Sequence, residues 1–544
     1  MHAIDDLLRQ IPAFKEGIPM KVRFCTLFLF VLIFQFSGGI YISSLHELVG
    51  GKALMHEDIM MAFEASFVGM CIVFPMLFRL KFRFASRTIF QFVACGLIAC
   101  NLVCLYTDNV PLLVGACFVA GVIRMWGTFE CFSSIQLSIT PTRNFAVFFP
   151  VIYSIIFGSA QLSGLTTTYL AYFFEWQNMH WLIIGLLLVV IVLSRFLLRH
   201  FHVEKPLPLY GIDWLGAAFW SVVLLLLVFV CEYGDYYDWL DSPYIRLALF
   251  AAFVFGSINV LRMNRIRQSY IEAKVFRYPH VINMLCLFMA ICLLSATSTV
   301  LENAYTEGIL GYDMLNAASL NWARLAGVIL GGLLTWLAAV RFKISYKKIV
   351  FIGFALLAAY QVVFFFLISP DANIELLYLP LAFKSAGTVI LYAVLTVYAA
   401  QIIPFQHLFQ VLCIMGFIRE GIGSPIATAS VGRMLKVFHQ SNYLSLSGEL
   451  DAQNPLVNHL PFDAVYGELQ RQSLLVSIKE IFGYAVLFGV VLLIAAMCTK
   501  YPKIHKYIRM PVFVLPRRLA EIALFHRPKY TVEELLRTKD KIEM

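Results

Sequence analysis

The chain has 544 residues, of which 60% are hydrophobic and only 14% are charged. Average soluble domains carry about 25% charged residues, and packed soluble domains could not bury so much apolar surface. The composition therefore excludes a soluble globular protein and a disordered one, and it indicates a polytopic membrane protein. The formal net charge of +9 does not by itself indicate nucleic-acid binding, because membrane proteins concentrate Lys and Arg on one side of the bilayer.

Apolar runs of about 20 residues, bounded by charged or turn-forming residues, predict fourteen membrane spans. The predicted spans are 23–43, 59–78, 88–106, 111–132, 145–172, 181–198, 212–231, 244–261, 281–303, 314–340, 349–368, 376–398, 407–432 and 475–498. An even number of spans places both termini on the same side of the membrane.

Basic residues are unequally distributed between the two sides. Thirty-two of the 42 Lys and Arg residues lie in or beside the segments on the side of the termini. Only four lie in the external segments, namely Lys52, Arg433, Lys436 and Arg471. The bias predicts cytoplasmic termini and explains the positive charge, so we expect no nucleic-acid partner. The Cys and His residues show no metal-ligand spacing, so we expect no metal and no cofactor.

Charged residues recur at an offset of about 260 residues. Glu64 and Arg324 lie in spans 2 and 10, and Arg124 and Lys384 lie in spans 4 and 12. The basic loops after spans 2 and 10 also correspond, and they contain the predicted gating-loop residues Arg79, Lys81, Arg83, Arg341 and Lys343. The offset predicts two related six-span halves in parallel orientation. Such repeats are typical of alternating-access carriers, with a substrate site near the midplane between the halves.

The predicted organisation has five parts. They are a cytoplasmic N-terminal segment 1–22, a six-helix bundle 23–198, an inserted helix pair with linkers 199–280, a second bundle 281–498 containing an external loop 433–474, and a cytoplasmic tail 499–544. Eleven basic residues in the tail suit anionic lipid headgroups.

Ten charged residues lie well inside the predicted spans, where each ionised side chain costs about 2.5–3.5 kcal/mol. The leading candidates for proton coupling or a central cavity are Arg124, Glu130, Arg324, Lys384, Arg419 and Glu420, with Glu64, Glu302, Lys479 and Glu480 as secondary candidates. The equal numbers of acids and bases predict mutual pairing; alternatively, some pairs only fix helices to one another. A carboxyl group whose Arg partner moves between two conformations can bind and release a proton.

Span 13 combines two of these charges with residues that weaken a helix. Arg419 and Glu420 are neighbours, and adjacent helical residues point about 100° apart, so they need not pair with each other. Gly421, Gly423 and Pro425 follow them. This run predicts close helix approach and a break in the backbone hydrogen-bond ladder.

Several short motifs resemble the fourteen-span drug:proton antiporter branch of the major facilitator superfamily. They are Glu175-Trp176 before span 6, Ile212–Gly216 at the start of span 7, Tyr270–Arg277 before span 9, Gly311-Tyr312 after it, Arg419–Gly423 in span 13 and Ser477–Phe482 in span 14. The resemblance implies an all-α integral membrane protein with the major facilitator fold, made of two six-helix bundles and two inserted helices. It implies proton-coupled efflux of amphipathic small molecules across the inner membrane, as in multidrug resistance. Arg124 then corresponds to the basic residue of the family's span 4 motif, which is linked there to proton transfer.

Three motifs depart from the pattern of this branch. Arg79 stands where the loop after span 2 has Asp, span 1 offers Gln35 instead of an Asp, and the span 5 signature reads Gly158 to Gly164 without its Gly-Pro. The branch sometimes works with a periplasmic adaptor and an outer-membrane channel, which the resemblance admits as partners here.

Two other classes of function remain open from the sequence. The first is a non-transporting membrane sensor or scaffold on the same fold, with the basic tail as its interaction segment. The second is a lipid-modifying membrane enzyme. It is less favoured, because the longest external loop, 433–474, offers only scattered candidate residues, namely Glu449, Asp451, His459, Asp463 and Glu468. We therefore expect no enzymatic activity.

Overall fold

The computed structural model describes residues 14–15, 17–139, 144–200, 209–266, 269–278, 280–450 and 461–498, so the predicted tail 499–544 lies outside the described residues. Within these ranges the regular structure is helical, apart from one isolated bridge between Phe14 and Leu198. The α-helices of the described chain are α1 Met20–Phe36, α2 Leu45–Lys52, α3 His56–Ile72, α4 Phe74–Arg83, α5 Ser86–Tyr106, α6 Val110–Ile139, α7 Phe145–Phe173, α8 Gln177–Leu197, α9 Trp214–Glu232, α10 Pro243–Arg265, α11 Val281–Asn303, α12 Met314–Trp336, α13 Tyr346–Leu367, α14 Tyr378–Ile402, α15 Phe405–Gly416, α16 Ser424–Gly448 and α17 Phe462–Cys498.

The helices coincide with the predicted spans. In the described part of the chain, twelve helices are long and apolar enough to cross a membrane, and the bent pair α3 and α4 can form a thirteenth span. The remaining predicted span corresponds to α1, whose 17 residues extend about 26 Å, slightly less than the hydrocarbon core. The count of fourteen is therefore roughly consistent with the structure. We call the membrane side at which α1 begins and α17 ends the terminal side.

The segment predicted as a gating loop is helical. α3 and α4 meet at a 62° bend, and Pro75 lies in the first turn of α4. Proline lacks an N–H and its ring clashes with the preceding turn, so the ladder of α3 ends here and the chain restarts at a new angle. The prediction of a loop is wrong at three residues, which lie in α4: Arg79, Lys81 and Arg83.

The corresponding second segment is also partly helical. Arg341 ends a π-helical stretch, Leu337–Arg341, that continues α12, and only Lys343 lies beyond it, with a φ of 51°. A π pattern at a helix end widens the last turn, so Arg341 belongs to the end of α12 and not to a free loop.

Most of the predicted external loop 433–474 is a helical hairpin. α16 continues to Gly448 and α17 begins at Phe462. The two helices are joined by a hydrogen bond of 2.8 Å between Nε2 of His439 and Oε1 of Gln470. α17 has 37 residues and extends about 55 Å, which exceeds the hydrocarbon core of about 30 Å. The hairpin therefore projects from the membrane opposite the terminal side. A search for apolar runs ends at residue 432 because the helix continues there with polar residues.

The predicted break in span 13 is present as a π-helical segment, Phe417–Gly423, that joins α15 to α16. A Cβ atom at Gly423 would lie 2.0 Å from the carbonyl oxygen of Ile418, so this position admits only glycine. Pro425 follows in the first turn of α16 and cannot donate a backbone hydrogen bond. The segment carries Arg419 and Glu420, and π-helical turns are often found at functional sites.

Of the predicted inserted pair, α9 packs at the seam of the bundle, and α10 packs on α9. On one side the Tyr233 hydroxyl, just after α9, donates to the carboxylate of Asp58 in α3. On the other side Trp220 packs on Phe417, with ring centroids 5.6 Å apart. α9 therefore contacts α3 from the first predicted half and the π-helical segment from the second.

Candidate functional site: a phenylalanine-lined cavity with buried ion pairs

A cavity of about 200 Å³ lies between the two predicted halves. Its walls come from α1, α3, α4, α6 and α7 on one side and from α11, α15 and the Phe417–Gly423 segment on the other. Eleven of the lining residues are aromatic, namely Phe74, Phe78, Phe82, Phe129, Phe132, Phe145, Phe148, Phe149, Tyr153, Phe288 and Phe409. Such a wall suits an apolar molecule, which it can hold without hydrogen bonds.

The cavity lies in the half of the bundle nearer the terminal side. It is lined by residues near the end of α6 and by the first residues of α7, which meet on that side. Lys81, in the last turn of α4, lines the shallow end. Arg419 and Glu420 line the deep end, about 20 Å along the helix that starts with α15. The charged groups of the lining thus lie at the two ends of the chamber.

Arg419 and Glu420 form an ion pair at the deep end. Nε of Arg419 lies 2.5 Å from Oε1 of Glu420, although it lacks the alignment of a hydrogen bond. The guanidinium group also lies over the ring of Tyr392, 5.5 Å from the centroid. The π-helical segment brings these neighbours together, whereas their sequence positions left the pairing open.

Glu130 pairs with α4 and not with Arg124. The buried carboxylate of Glu130 lies 3.4 Å from Nζ of Lys81 and accepts a 2.5 Å hydrogen bond from the Ser86 hydroxyl. Nζ of Lys81 also donates to the hydroxyl of Ser133. These contacts fix the end of α4 against α5 and α6.

Arg124 is buried without an anionic partner among the described residues. Its guanidinium lies against the sulfur of Met70 and 5.7 Å from the ring centroid of Phe67, and its Nε has no hydrogen-bond partner. The charge of the Glu420 carboxylate acts on it from the other predicted half. A buried cation without a partner is costly in a membrane, so this position is suited to receive an anion.

A second group of charges lies in the predicted C-terminal half and is here called the Glu302 cluster: Glu302, Arg324, Lys384, Tyr360 and Asn321. Lys384 donates to both carboxylate oxygens of Glu302 at 3.0 Å, and Arg324 donates to Oε2 at 2.9 Å. Tyr360 donates to Oε1 at 2.5 Å. Arg324 also donates to Asn321 at 2.7 Å. The cluster thus joins α11, α12, α13 and α14.

The secondary candidates fall into two groups. Glu64 in α3 is buried and its Oε2 has no hydrogen bond, and the charges of Glu232 and Glu420 act on it. Lys479 instead lies over the ring of Phe365, and Glu480 is exposed beside Asn442 of the hairpin. The structure therefore brings Glu64 close to the central charges, and it does not bring Lys479 or Glu480 there.

The aromatic residues that close the deep end of the cavity were not predicted from the sequence. Tyr153 of α7 stacks on Tyr392 of α14, with centroids 6.0 Å apart and planes at 19°. Phe157 and Phe288 pack on Tyr392 as well, both with centroids 5.4 Å away. Aromatic residues are frequent throughout the chain, and sequence alone does not separate those that face lipid from those that face a cavity.

No protein-family model and no curated protein matches the sequence. A structure of proton-dependent oligopeptide transporters is similar, with a TM-score of 0.53 and 13% identity over 92% of this chain and 99% of the other. The human organic anion transporter MFSD10 is similar with a TM-score of 0.50 and 11% identity, over 87% of this chain and 100% of the other. The nucleoside transporter NupG is similar with a TM-score of 0.51 and 11% identity, over 88% of this chain and 99% of the other. At these identities the likeness concerns the fold, and the chain is an all-α membrane protein with the major facilitator fold.

Proposed function

We propose that the chain is a secondary active transporter that exports amphipathic small molecules in exchange for protons by alternating access. The observation that carries the proposal is the phenylalanine-lined cavity between the halves, with an ion pair at its deep end. An apolar chamber holds the body of an amphipathic molecule, and the charges at its ends orient the polar group. The structural neighbours transport peptides, organic anions or nucleosides, which is consistent with a cargo of small molecules.

Glu420 is the carboxyl group that we assign to proton coupling. It faces the cavity beside Arg419, and its charge also acts on Arg124 in the other half. A carboxylate that exchanges one arginine for another changes its proton affinity with each conformation. Movement of the halves would therefore load a proton on one side and release it on the other.

The Lys81–Glu130 pair has a different role in this mechanism. It fixes the end of α4, whose Phe78 contacts Phe409 of α15 with ring centroids 6.1 Å apart. Phe129 packs on the same ring of Phe409 at 5.6 Å. These contacts join the halves at the shallow end of the cavity, so we assign Glu130 and Lys81 to the gate on the terminal side.

The proposal also includes the orientation and the setting. By the charge bias, the terminal side is cytoplasmic. The resemblance to the drug:proton antiporter branch implies that the membrane is the inner membrane of the cell. The cavity then lies nearer the cytoplasm, and the gate on that side would open to admit the cargo. The α16–α17 hairpin projects on the opposite side and gives a periplasmic adaptor a surface on which it could dock.

Flux in proteoliposomes with an imposed pH gradient tests this function. We expect the gradient to accelerate uptake of an amphipathic compound, and we expect Glu420→Gln to abolish the acceleration while the protein still binds the compound. The matched control is Glu480→Gln, because Glu480 is exposed on α17 outside the cavity. Flux that ignores both the gradient and the Glu420 substitution would exclude proton coupling.

A further inference from the structure

The Glu302 cluster holds more positive than negative charge. One carboxylate, that of Glu302, is shared by the ammonium group of Lys384 and the guanidinium group of Arg324. Tyr360 and Asn321 contribute only uncharged groups. With all three ionised, the cluster retains one unit of positive charge inside the membrane region, where an uncompensated cation is costly. An anionic group from a ligand would compensate it.

The two cations of the Glu302 cluster are more accessible than its carboxylate. The side chain of Glu302 is 3% exposed, whereas those of Lys384 and Arg324 are 13% and 23% exposed. In addition, Nε of Arg324 has no hydrogen-bond partner. A ligand would thus meet the two cations first, with Glu302 lying behind them as their internal partner.

The cluster faces the seam between the two halves. Asn321, one turn before Arg324 in α12, lies 3.4 Å from the position of a Cβ atom at Gly164 in α7. Leu325 and Val328 lie within contact distance of the position of a Cβ atom at Gly158, which is earlier in α7. Arg324 therefore lies on the face of α12 that packs on the first half.

An aromatic layer separates the cluster from the cavity. Lys384, Thr388 and Tyr392 are spaced by four residues along α14, so they lie on one face of the helix over a rise of about 12 Å. Tyr392 at one end of this row stacks on Tyr153, which lines the cavity. The Glu302 cluster at the other end lies beyond that layer, further from the terminal side.

We propose that Lys384 and Arg324 form an anion subsite, which receives the carboxylate or sulfonate group of the cargo after the cargo has passed Tyr392. The inference rests on the proposed function and names its cargo as amphipathic organic anions with one charged group. The apolar body of such a molecule fits the phenylalanine-lined cavity. Its charged group exchanges with Glu302 for the two cations, which makes Glu302 an internal competitor of the cargo.

The test compares two probes that share one apolar body, 2-naphthoate and its neutral analogue 2-naphthamide. Binding to the full-length protein is measured in nanodiscs of uncharged lipid, so that no lipid headgroup supplies an anion. We expect Lys384→Met to weaken naphthoate binding about tenfold or more, because a charge-assisted hydrogen bond is lost. Naphthamide binding should change less than about twofold. Glu302→Gln should tighten naphthoate binding, because it removes the competitor.

One further variant and one further measurement control for folding. Lys384→Arg keeps the charge and should keep naphthoate binding. Lys384→Met should unfold near the temperature of the wild type, because Glu302 keeps Arg324 as its partner. Equal losses for the two probes, an unchanged naphthoate affinity, or the absence of saturable naphthoate binding would overturn the subsite. Parallel flux measurements separate the two proposals. If the binding pattern holds without flux, the transport function fails. If Lys384-independent naphthoate flux is found, only the subsite fails.

Discussion

Arg419 and Glu420 are neighbours in the chain, yet their side chains form an ion pair with Nε and Oε1 2.5 Å apart. The pairing depends on the π-helical segment Phe417–Gly423, which departs from α-helical geometry at this point. The deep end of the cavity thus holds a compensated pair, while Arg124 across the seam has no carboxylate within ion-pair distance among the described residues. In the proposed mechanism, Glu420 therefore changes partners from Arg419 to Arg124 when the halves move.

A double-mutant cycle on this pair separates stability from coupling. Glu420→Gln leaves Arg419 without its anion and should lower the free energy of unfolding by about 1–3 kcal/mol. Arg419→Met/Glu420→Gln should recover most of that loss, because no charge remains unpaired. Gradient-driven flux should stay absent in both variants. Thermal unfolding in detergent and flux in proteoliposomes measure the two effects, and recovery of flux in the double variant would contradict the role of Glu420.

Gly423→Ala tests the π-helical segment. The added Cβ would lie 2.0 Å from the carbonyl oxygen of Ile418, so the backbone of the segment must shift and we expect transport to be lost. Gly432→Ala is the matched control on α16, because nothing lies within 4 Å of its Cβ position. This control should gain up to about 1 kcal/mol from helix propensity. Transport is compared at equal protein content in the membrane, and similar activities of the two variants would show that the segment has no role.

Filling the cavity should block both probes alike. Leu412 lines the cavity, and Leu412→Trp places a larger side chain in a chamber of about 200 Å³. We expect flux of naphthoate and naphthamide to fall about tenfold or more, since volume and not charge is removed. Leu330→Trp, at an exposed position of α12, should leave flux unchanged. Normal flux through Leu412→Trp would place the transport path elsewhere.

The aromatic layer at Tyr392 should act as a seal. Tyr392→Ala removes the ring that stacks on Tyr153 and Phe157, which opens a path between the cavity and the Glu302 cluster. We expect proteoliposomes with this variant to lose an imposed pH gradient faster than the wild type in the absence of cargo, as measured with a trapped pH-sensitive dye. Tyr392→Phe keeps the ring and should retain the gradient. A gradient that decays equally in all three preparations would argue against a seal here.

Much of the fold follows from the sequence because the bilayer imposes a simple rule. A span needs about 20 apolar residues, so apolar runs locate helices even where caps and propensities are weak. The same rule explains why a helical hairpin was predicted as an external loop. The hairpin of α16 and α17 leaves the membrane, and its residues after 432 keep their helical structure with polar side chains such as His439 and Gln470. Apolar runs therefore predict only the part of a helix that lies inside the bilayer.

The sequence predicts the charged residues of the candidate site, and it does not predict how they are arranged in space. Arg324, Lys384 and Glu302 were recognisable as buried charges, but their meeting depends on how three separate helices pack. Lys81 was assigned to a loop, whereas a proline bend directs it to Glu130. The stacking of Tyr392 on Tyr153 gave no signal at all, because apolar faces toward lipid and toward a cavity have the same composition.

Reversible cross-linking across the shallow end of the cavity tests the alternating-access mechanism most directly. Phe78 of α4 and Phe409 of α15 have ring centroids 6.1 Å apart, so Phe78→Cys/Phe409→Cys can be joined by a short bis-thiosulfonate linker. The single variants control for the twelve native Cys residues. If transport requires the halves to separate here, the linked protein should lose flux and regain it after reduction. Flux that continues at the unlinked rate in fully cross-linked protein would contradict alternating access between these halves.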